Sequence, residues 1–455
     1  MLGELTAPPR REELARAVAR WRARAEHALA VAAIAGVGVL LAIVLSKRFF
    51  LGSDSANDYA HVWWISDQLF HHGRLPLHVA GLESGEALTF PYAAVPWLAT
   101  APLYAAFGDW SVTLMMVVGF VLYAAMAVWA RPALREPRLL ALVLGNTFLL
   151  EGLMSFQMAF IWACAFFFAF VALVDRRRWA LASLLAIATV TTHPFLGPAA
   201  VGAYALYTAA RWPRTVVPLA LALAAAAVVV TPFALYIRTA PSVETTSRSE
   251  LLATLRWIAR FRGAIVLLPL VVSACAPAFR QWFLVVFTAM VATFAVRVSE
   301  AKVNTFGITQ QMAGQHYDGA FYGNFIASPV FDRSLRYRVL EPNDREDGAV
   351  QLLKAGAVLA QEFFDQSQFR RWWSSPEQYA CFLGAKRVDV VLLEGDYPLK
   401  FRQNEDRLLR EAAEQGRARV IWVEPDPRVP EKPKFRAYDV RPLRRDGVTL
   451  ADCRL

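Results

Sequence analysis

The apolar residues of this chain are gathered into runs of membrane-crossing length, and those runs decide what it can fold into. A helix needs about 17–25 mainly apolar residues to cross the hydrocarbon core of a bilayer. Runs at 28–46, 110–130, 138–154, 157–174, 179–193, 195–210, 215–237, 263–279 and 281–297 meet or approach that length. In lipid every backbone N–H and C=O must be paired internally, so such runs predict a helical bundle. Composition agrees, because 56% of the 455 residues are hydrophobic and 19% charged, against about 45–50% and about 25% in soluble domains. Most of the charge follows residue 297. The chain therefore divides into an amphipathic arm (1–27), a transmembrane domain (28–297) with a long first loop (48–109), and a soluble C-terminal domain (298–455).

Charge placement gives the orientation. A net charge of +10 would suggest nucleic acid in a soluble protein. Here it reads as cytoplasmic loops and lipid headgroup contact, with no nucleic-acid partner. The run 91–107 contains three prolines. If it lies on the membrane surface, the arm with Arg10, Arg11, Arg16, Arg20, Arg22 and Arg24 falls on the same side as Arg131–Arg138, Arg176–Arg178, Arg211, Arg214 and Arg280. The positive-inside rule makes that side cytoplasmic. Nine spans of a cytoplasmic (inner) membrane then put the N-terminus inside and the C-terminal domain outside, although Lys47 and Arg48 run against the rule. The first apolar run starts only near residue 28, behind an arginine-rich segment, which is not the pattern of a cleavable signal.

The C-terminal domain reads as α/β. Strand patterns lie at 336–340, 388–393, 419–423 and 435–440, and helical patterns near 349–364 and 404–415. Cys381 and Cys453 fall in this domain and can pair in an oxidising compartment, whereas Cys164 and Cys275 lie in apolar runs. Neither a CxxC nor a Cys/His metal spacing occurs, and the domain has no GxGxxG, Walker or nucleophile-elbow motif.

The polar residues collect on the outer face under this topology. Six of the seven histidines lie there, His27 being the exception. Just after the first span comes Gly52-Ser53-Asp54-Ser55-Ala56-Asn57-Asp58-Tyr59-Ala60-His61. If 54–66 is helical, Asp54, Asp58 and His61 share one face. Two carboxylates and an imidazole there suit a general base or a divalent metal. The bland alternative is a wet loop with Ser53 or Asp54 as a helix cap. Asp58 is the preferred base because it stands one turn from His61. Glu151 and His193 end outward spans, and each suits a cavity-facing group or a simple helix-end residue. The stretch 238–262 carries Arg238, Arg248, Arg256, Arg260 and Arg262 on the side where the rule predicts few. Arginine forks there suit a lipid-linked phosphate, or else they snorkel to headgroups. Tryptophans such as Trp63, Trp64, Trp97, Trp110 and Trp257 read mainly as membrane-interface anchors, with one or two suited to stacking on a sugar.

The order of these features resembles the GT-C superfamily of polytopic glycosyltransferases, which take sugars from polyprenyl-phosphate donors. The acidic element Asp54…Asp58-Tyr59-Ala60-His61 follows the first span. Phe90-Pro91-Tyr92 through Ala101-Pro102-Leu103-Tyr104 is similar to the loop helix that precedes the second span in that superfamily, and Thr192-His193-Pro194 resembles its His-Pro turn. The paired acidic dipeptide of protein mannosyltransferases and the WWD-type element of oligosaccharyltransferases are absent. The resemblance implies a GT-C-like bundle with a closing α/β domain. It also implies a sugar transferred from a polyprenyl-phosphate donor to an acceptor at the outer membrane face. Asp58 or Asp54 would act as base. His61, His193, Glu151 and Tyr92 would contact substrate, with Arg256, Arg260 and Arg262 on the donor phosphate. A catalytically silent subunit that binds membrane-protein partners is the alternative; a transporter is disfavoured by the scarcity of ionisable residues mid-span.

Overall fold

A computed structural model describes residues 10–47, 55–76, 78–79, 81, 86–87, 93–193, 196–239, 279–300, 322–340, 347–360, 373–394, 404–426 and 429–453. The first helix, α1, runs unbroken through Arg10–Leu45. The arginine-rich arm is thus the outer part of the first apolar helix and not a separate element. After it come α2 (Ser55–His72), a two-stranded hairpin of β1 (His78–Val79) and β2 (Glu86–Ala87), and α3 (Ala94–Phe107).

Among the described residues of the helical part, α4 (Trp110–Ala130), α5 (Pro137–Leu144), α6 (Thr147–Met154), α7 (Met158–Asp175), α8 (Trp179–Thr192), α9 (Leu196–Arg211), α10 (Val216–Thr239) and α11 (Phe283–Glu300) follow. Four helical segments among the described residues, Glu12–Leu45, Trp110–Ala130, Met158–Asp175 and Pro213–Pro232, are long and apolar enough to cross a membrane. The run 138–154 is divided, because α5 stops at Gly145 and the Asn146 side chain accepts the Leu149 N–H at 3.3 Å, starting α6 afresh. The runs 179–193 and 195–210 form helices of 14 and 16 residues. The run 263–279 lies almost wholly outside the described residues.

Helices α4 and α7 pack closely because Gly119 leaves room for Trp162: a Cβ at Gly119 would stand 2.4 Å from the indole nitrogen. That nitrogen donates to the Met115 carbonyl at 3.0 Å. The C-terminal ends of the same two helices are joined by Arg131, whose Nη1 donates to Asp175 Oδ2 at 2.5 Å, while Tyr204 of α9 donates to Asp175 Oδ1 at 2.5 Å. At this end Arg138 also reaches Glu26 of α1 at 2.8 Å.

The C-terminal part holds a five-stranded mixed sheet in the order β4-β3-β5-β7-β6, built from β3 (Arg336–Leu340), β4 (Val358–Leu359), β5 (Val390–Glu394), β6 (Arg419–Asp426) and β7 (Val429–Asp439). Strand β3 runs parallel to β4 and β5, and β7 is antiparallel to β5 and β6. Period-two alternation gives the sheet two apolar faces. Leu340, Val391, Leu393 and Tyr438 pack with α13 (Pro376–Ala385) and α14 (Glu405–Glu414). Tyr337, Val339, Leu392 and Phe435 join the hydrophobic core shared with the helical part. Cys381 of α13 is bonded to Cys453, as the sequence allowed.

This domain seats on the loop region. Helix α12 (Asp347–Lys354) packs against α2, and the Leu359 N–H donates to the Gly81 carbonyl at 2.7 Å. The approach is close at Gly81, since a Cβ would fall 2.3 Å from Leu353 Cδ1 and that side chain would have to shift. Lys354 Nζ donates to Asp109 Oδ1 at 2.5 Å, and the same oxygen accepts the Tyr104 hydroxyl at 2.7 Å.

Candidate functional site

Four separated segments meet at the end of the helices away from Arg131 and Asp175. Helix α2 supplies Asp58 and His61, and α3 supplies Trp97. The α6–α7 turn supplies Phe156, and the end of α8 supplies Thr192 and His193. Asp58, His61 and Trp97 are 3%, 0% and 1% exposed. The Trp97 indole N–H donates to Asp58 Oδ1 at 2.6 Å, and its ring lies face to face with His61, centroids 4.3 Å apart and planes 9° apart. The His61 Nδ1 pairs with the Asn57 carbonyl at 2.8 Å, the spacing of one helical turn. Burial pushes the imidazole down to about 4, against the Asn57 carbonyl, which favours the proton. His61 is therefore a neutral ring at physiological pH.

Neighbouring contacts fix this cluster. Tyr59, next to Asp58, bonds the Thr113 hydroxyl of α4 at 2.8 Å. The Tyr59 ring stacks on Phe156 at 5.6 Å, and Phe156 holds a left-handed backbone with φ 59° in the turn after α6. The start of α3 is tied to the end of α8, since the Ala93 N–H donates to the Thr192 carbonyl at 2.8 Å. His193 caps α8 in an extended conformation, its Nδ1 accepts the Leu196 N–H at 3.2 Å, and its ring meets Phe160 edge-on at 6.4 Å.

No family model, curated protein or solved structure matches this chain. Its chemistry has to be read from these residues.

Of the residues singled out in the sequence, Asp58 and His61 are adjacent and share Trp97. His193 stands at the same end, one residue from the Thr192–Ala93 link. Glu151 lies in α6, where its carbonyl accepts the Ser155 N–H at 2.7 Å and so helps form the turn that carries Phe156. Asp54, Tyr92, Arg256, Arg260 and Arg262 lie outside the described residues. Among the described residues no three His, Cys, Asp or Glu side chains come together to hold a metal ion. The helix-spacing argument holds for Asp58 and His61, since α2 is helical from Ser55 through His72, while its third member, Asp54, lies outside the described residues. Sequence reading missed the role of Trp97, taken there as an interface anchor. Its partner Asp58 is 39 residues away, and nothing in either local pattern connects them. Trp110 was read in the same way, yet its indole donates to the Leu45 carbonyl at 2.9 Å and ties α4 to α1.

Proposed function

We propose that this chain is a polytopic membrane glycosyltransferase of the GT-C type. It moves a sugar from a polyprenyl-phosphate-linked donor to an acceptor hydroxyl at the outer face of the cytoplasmic membrane. The observation that carries this reading is Asp58, a buried carboxylate on the first helix after α1, held by Trp97 where four helix segments meet. In the reaction the Asp58 carboxylate takes the acceptor hydroxyl proton as that oxygen attacks the anomeric carbon. The bond between the anomeric carbon and the phosphate oxygen breaks, and the polyprenyl phosphate leaves with the electron pair. His61, stacked on the indole, keeps Trp97 in place to hold the carboxylate. His193 and Glu151 border the site, while Asp54, Tyr92 and the arginines Arg256, Arg260 and Arg262 serve substrate and donor phosphate.

The proposed topology has nine spans, with the N-terminus inside and the C-terminal domain outside. Its support is threefold. The arginine-bearing turns at 131–138 and 176–178 gather at one end. The C-terminal domain seats on the loop at the other. The Cys381–Cys453 bond suits an oxidising compartment. A single cysteine placed at Val420, on the exposed edge strand β6, should react with a membrane-impermeant reagent in intact cells; protection of that position rejects the outer-face site.

The decisive test is Asp58→Asn. Loss of a general base lowers transfer by about 10²–10⁴-fold, and the carboxamide oxygen still accepts the Trp97 N–H, so folding is retained. Full activity in this variant removes Asp58 from the chemistry. The near-complete burial of Asp58 and His61 favours a second reading, a catalytically silent subunit in which the cluster only joins α2 to α3. In that case Asp58→Asn leaves function intact, while Trp97→Leu lowers stability.

A further inference from the structure

The first turns of α1 leave an apolar face uncovered. Every residue from 12 to 25 is exposed. Leu14, Val18 and Trp21 are 66%, 56% and 72% exposed, and their spacing of i, i+4 and i+7 puts them on one side of the helix. The side of α1 that meets the other helices is a different one. Glu26, Ala30, Val37 and Val44 are buried, and at about 100° per residue they lie roughly 130° around the axis from the stripe. Arg24 and, farther round, Arg20 lie to one side of the stripe, and Arg22 lies to the other. From 10 to 25 the chain carries six arginines against Glu12 and Glu13. Glu12 is joined to Arg16 at 3.3 Å.

Lipid does not reach this stripe. Residues 28–45 of the helix measure about 27 Å, close to a full hydrocarbon core of about 30 Å, and the headgroups add only about 5–8 Å on each side. Trp21, Val18 and Leu14 lie about 10, 15 and 21 Å beyond residue 28 along the unbroken helix, so Val18 and Leu14 stand in water. A second copy does not suit the stripe either. Two copies in one membrane point the same way, so their arms would pair in parallel and set arginine against arginine, which costs free energy. A nucleic acid would satisfy the arginines and leave the stripe bare. We propose that residues 14–24 of α1 form a docking helix for a water-soluble protein that presents an apolar helix face bordered by Asp and Glu. Burial of Leu14, Val18 and Trp21 supplies the affinity, and the arginines select an acidic partner. The docking helix depends on α1 spanning a membrane and on nothing in the sugar-transfer reading.

The purified full-length protein in phosphatidylcholine nanodiscs is titrated with a synthetic helical peptide whose leucine stripe is bordered by glutamates, and with the same peptide carrying lysines in their place. The glutamate peptide should bind, the lysine peptide should not, and added salt should weaken the binding. Trp21→Ala, and Arg20→Gln combined with Arg24→Gln, should each weaken it about tenfold or more. These side chains are exposed, so the unfolding temperature should stay the same. In intact cells a photo-crosslinking residue at Val18 should trap a separate protein rich in Asp and Glu, and the double arginine variant should lose that adduct. Equal binding of both peptides, or of neither, overturns the proposal. An adduct of twice the chain's own mass overturns it in favour of a second copy. Adducts to lipid alone, or none, overturn it as well.

Discussion

In the C-terminal domain the Glu405 carboxylate is fully buried. It receives the Arg338 guanidinium through two bonds of 2.7 and 3.0 Å and the Tyr379 hydroxyl at 3.0 Å. At the helix ends the Asp58 carboxylate is almost as buried, and it receives the neutral indole N–H of Trp97. The Glu405 group is drawn from one small domain and sets charge against charge across β3, α13 and α14. The Asp58 group pairs one carboxylate with an uncharged donor between α2 and α3. The first arrangement locks a domain. The second meets the carboxylate with a neutral group, and under the proposed function that carboxylate is the base.

The sharpest way to break this comparison is Arg338→Met. Removing one partner of a buried pair costs about 3–5 kcal/mol, so the variant should unfold far more easily in a calorimetric or denaturant experiment. A change below about 1 kcal/mol would mean that the Glu405 group does not lock its domain. Opening the disulfide by Cys453→Ser should cost about 2–4 kcal/mol, since the bond closes a chain separation of 72 residues. Reductant should reproduce that loss in the wild type and have no effect on the variant.

Acid separates the two regions. The His61 imidazole is lowered to about 4 from the usual 6.5, so the unfolded chain binds its proton first. Stability is therefore fully present above about pH 6.5 and declines as pH falls toward 4, by up to about 3 kcal/mol at 1.36 kcal/mol per unit. His61→Phe keeps a ring against Trp97 and should flatten that decline in an unfolding series across the window. The smallest effect is expected for Lys354→Met at the seam between the regions. This partly exposed pair with Asp109 should contribute no more than about 1 kcal/mol, visible as a slight drop in unfolding temperature that high salt reproduces in the wild type.

How far the sequence could be read differs between the same two regions. The strands at 336–340 and 419–423 lie within β3 and β6, 435–440 runs one residue past the end of β7, and 388–393 covers most of β5, because alternation is a local property of a strand and survives any packing. The pairing of Cys381 with Cys453 was legible because both fall in the C-terminal domain. Helix α13 was missed. Its sequence, PEQYACFLGA, is too short and too evenly apolar to show a helical stripe, and Ser375 capping the Gln378 N–H is what starts it. In the helical part the runs were visible, but the break at Gly145–Asn146 was hidden inside one of them. The place of Asp58 and His61 on one helix followed from spacing. The partnership with Trp97 and the turn at Phe156 depend on how α3 and α7 pack, and local periodicity carries no information about that.

One mechanical consequence belongs to α1. At 1.5 Å per residue this helix is a stiff rod of about 54 Å, clasped near its middle where Glu26 meets Arg138. About 24 Å of rod extends from that clasp to Arg10, and about 28 Å runs the other way to Leu45. The Leu45 carbonyl is gripped by the Trp110 indole beside the loop region. The rod is thus held at two points about 28 Å apart. A ten-degree bend at the clasp swings the arginine-bearing tip by about 4 Å and leaves the Leu45 end in the grip of Trp110.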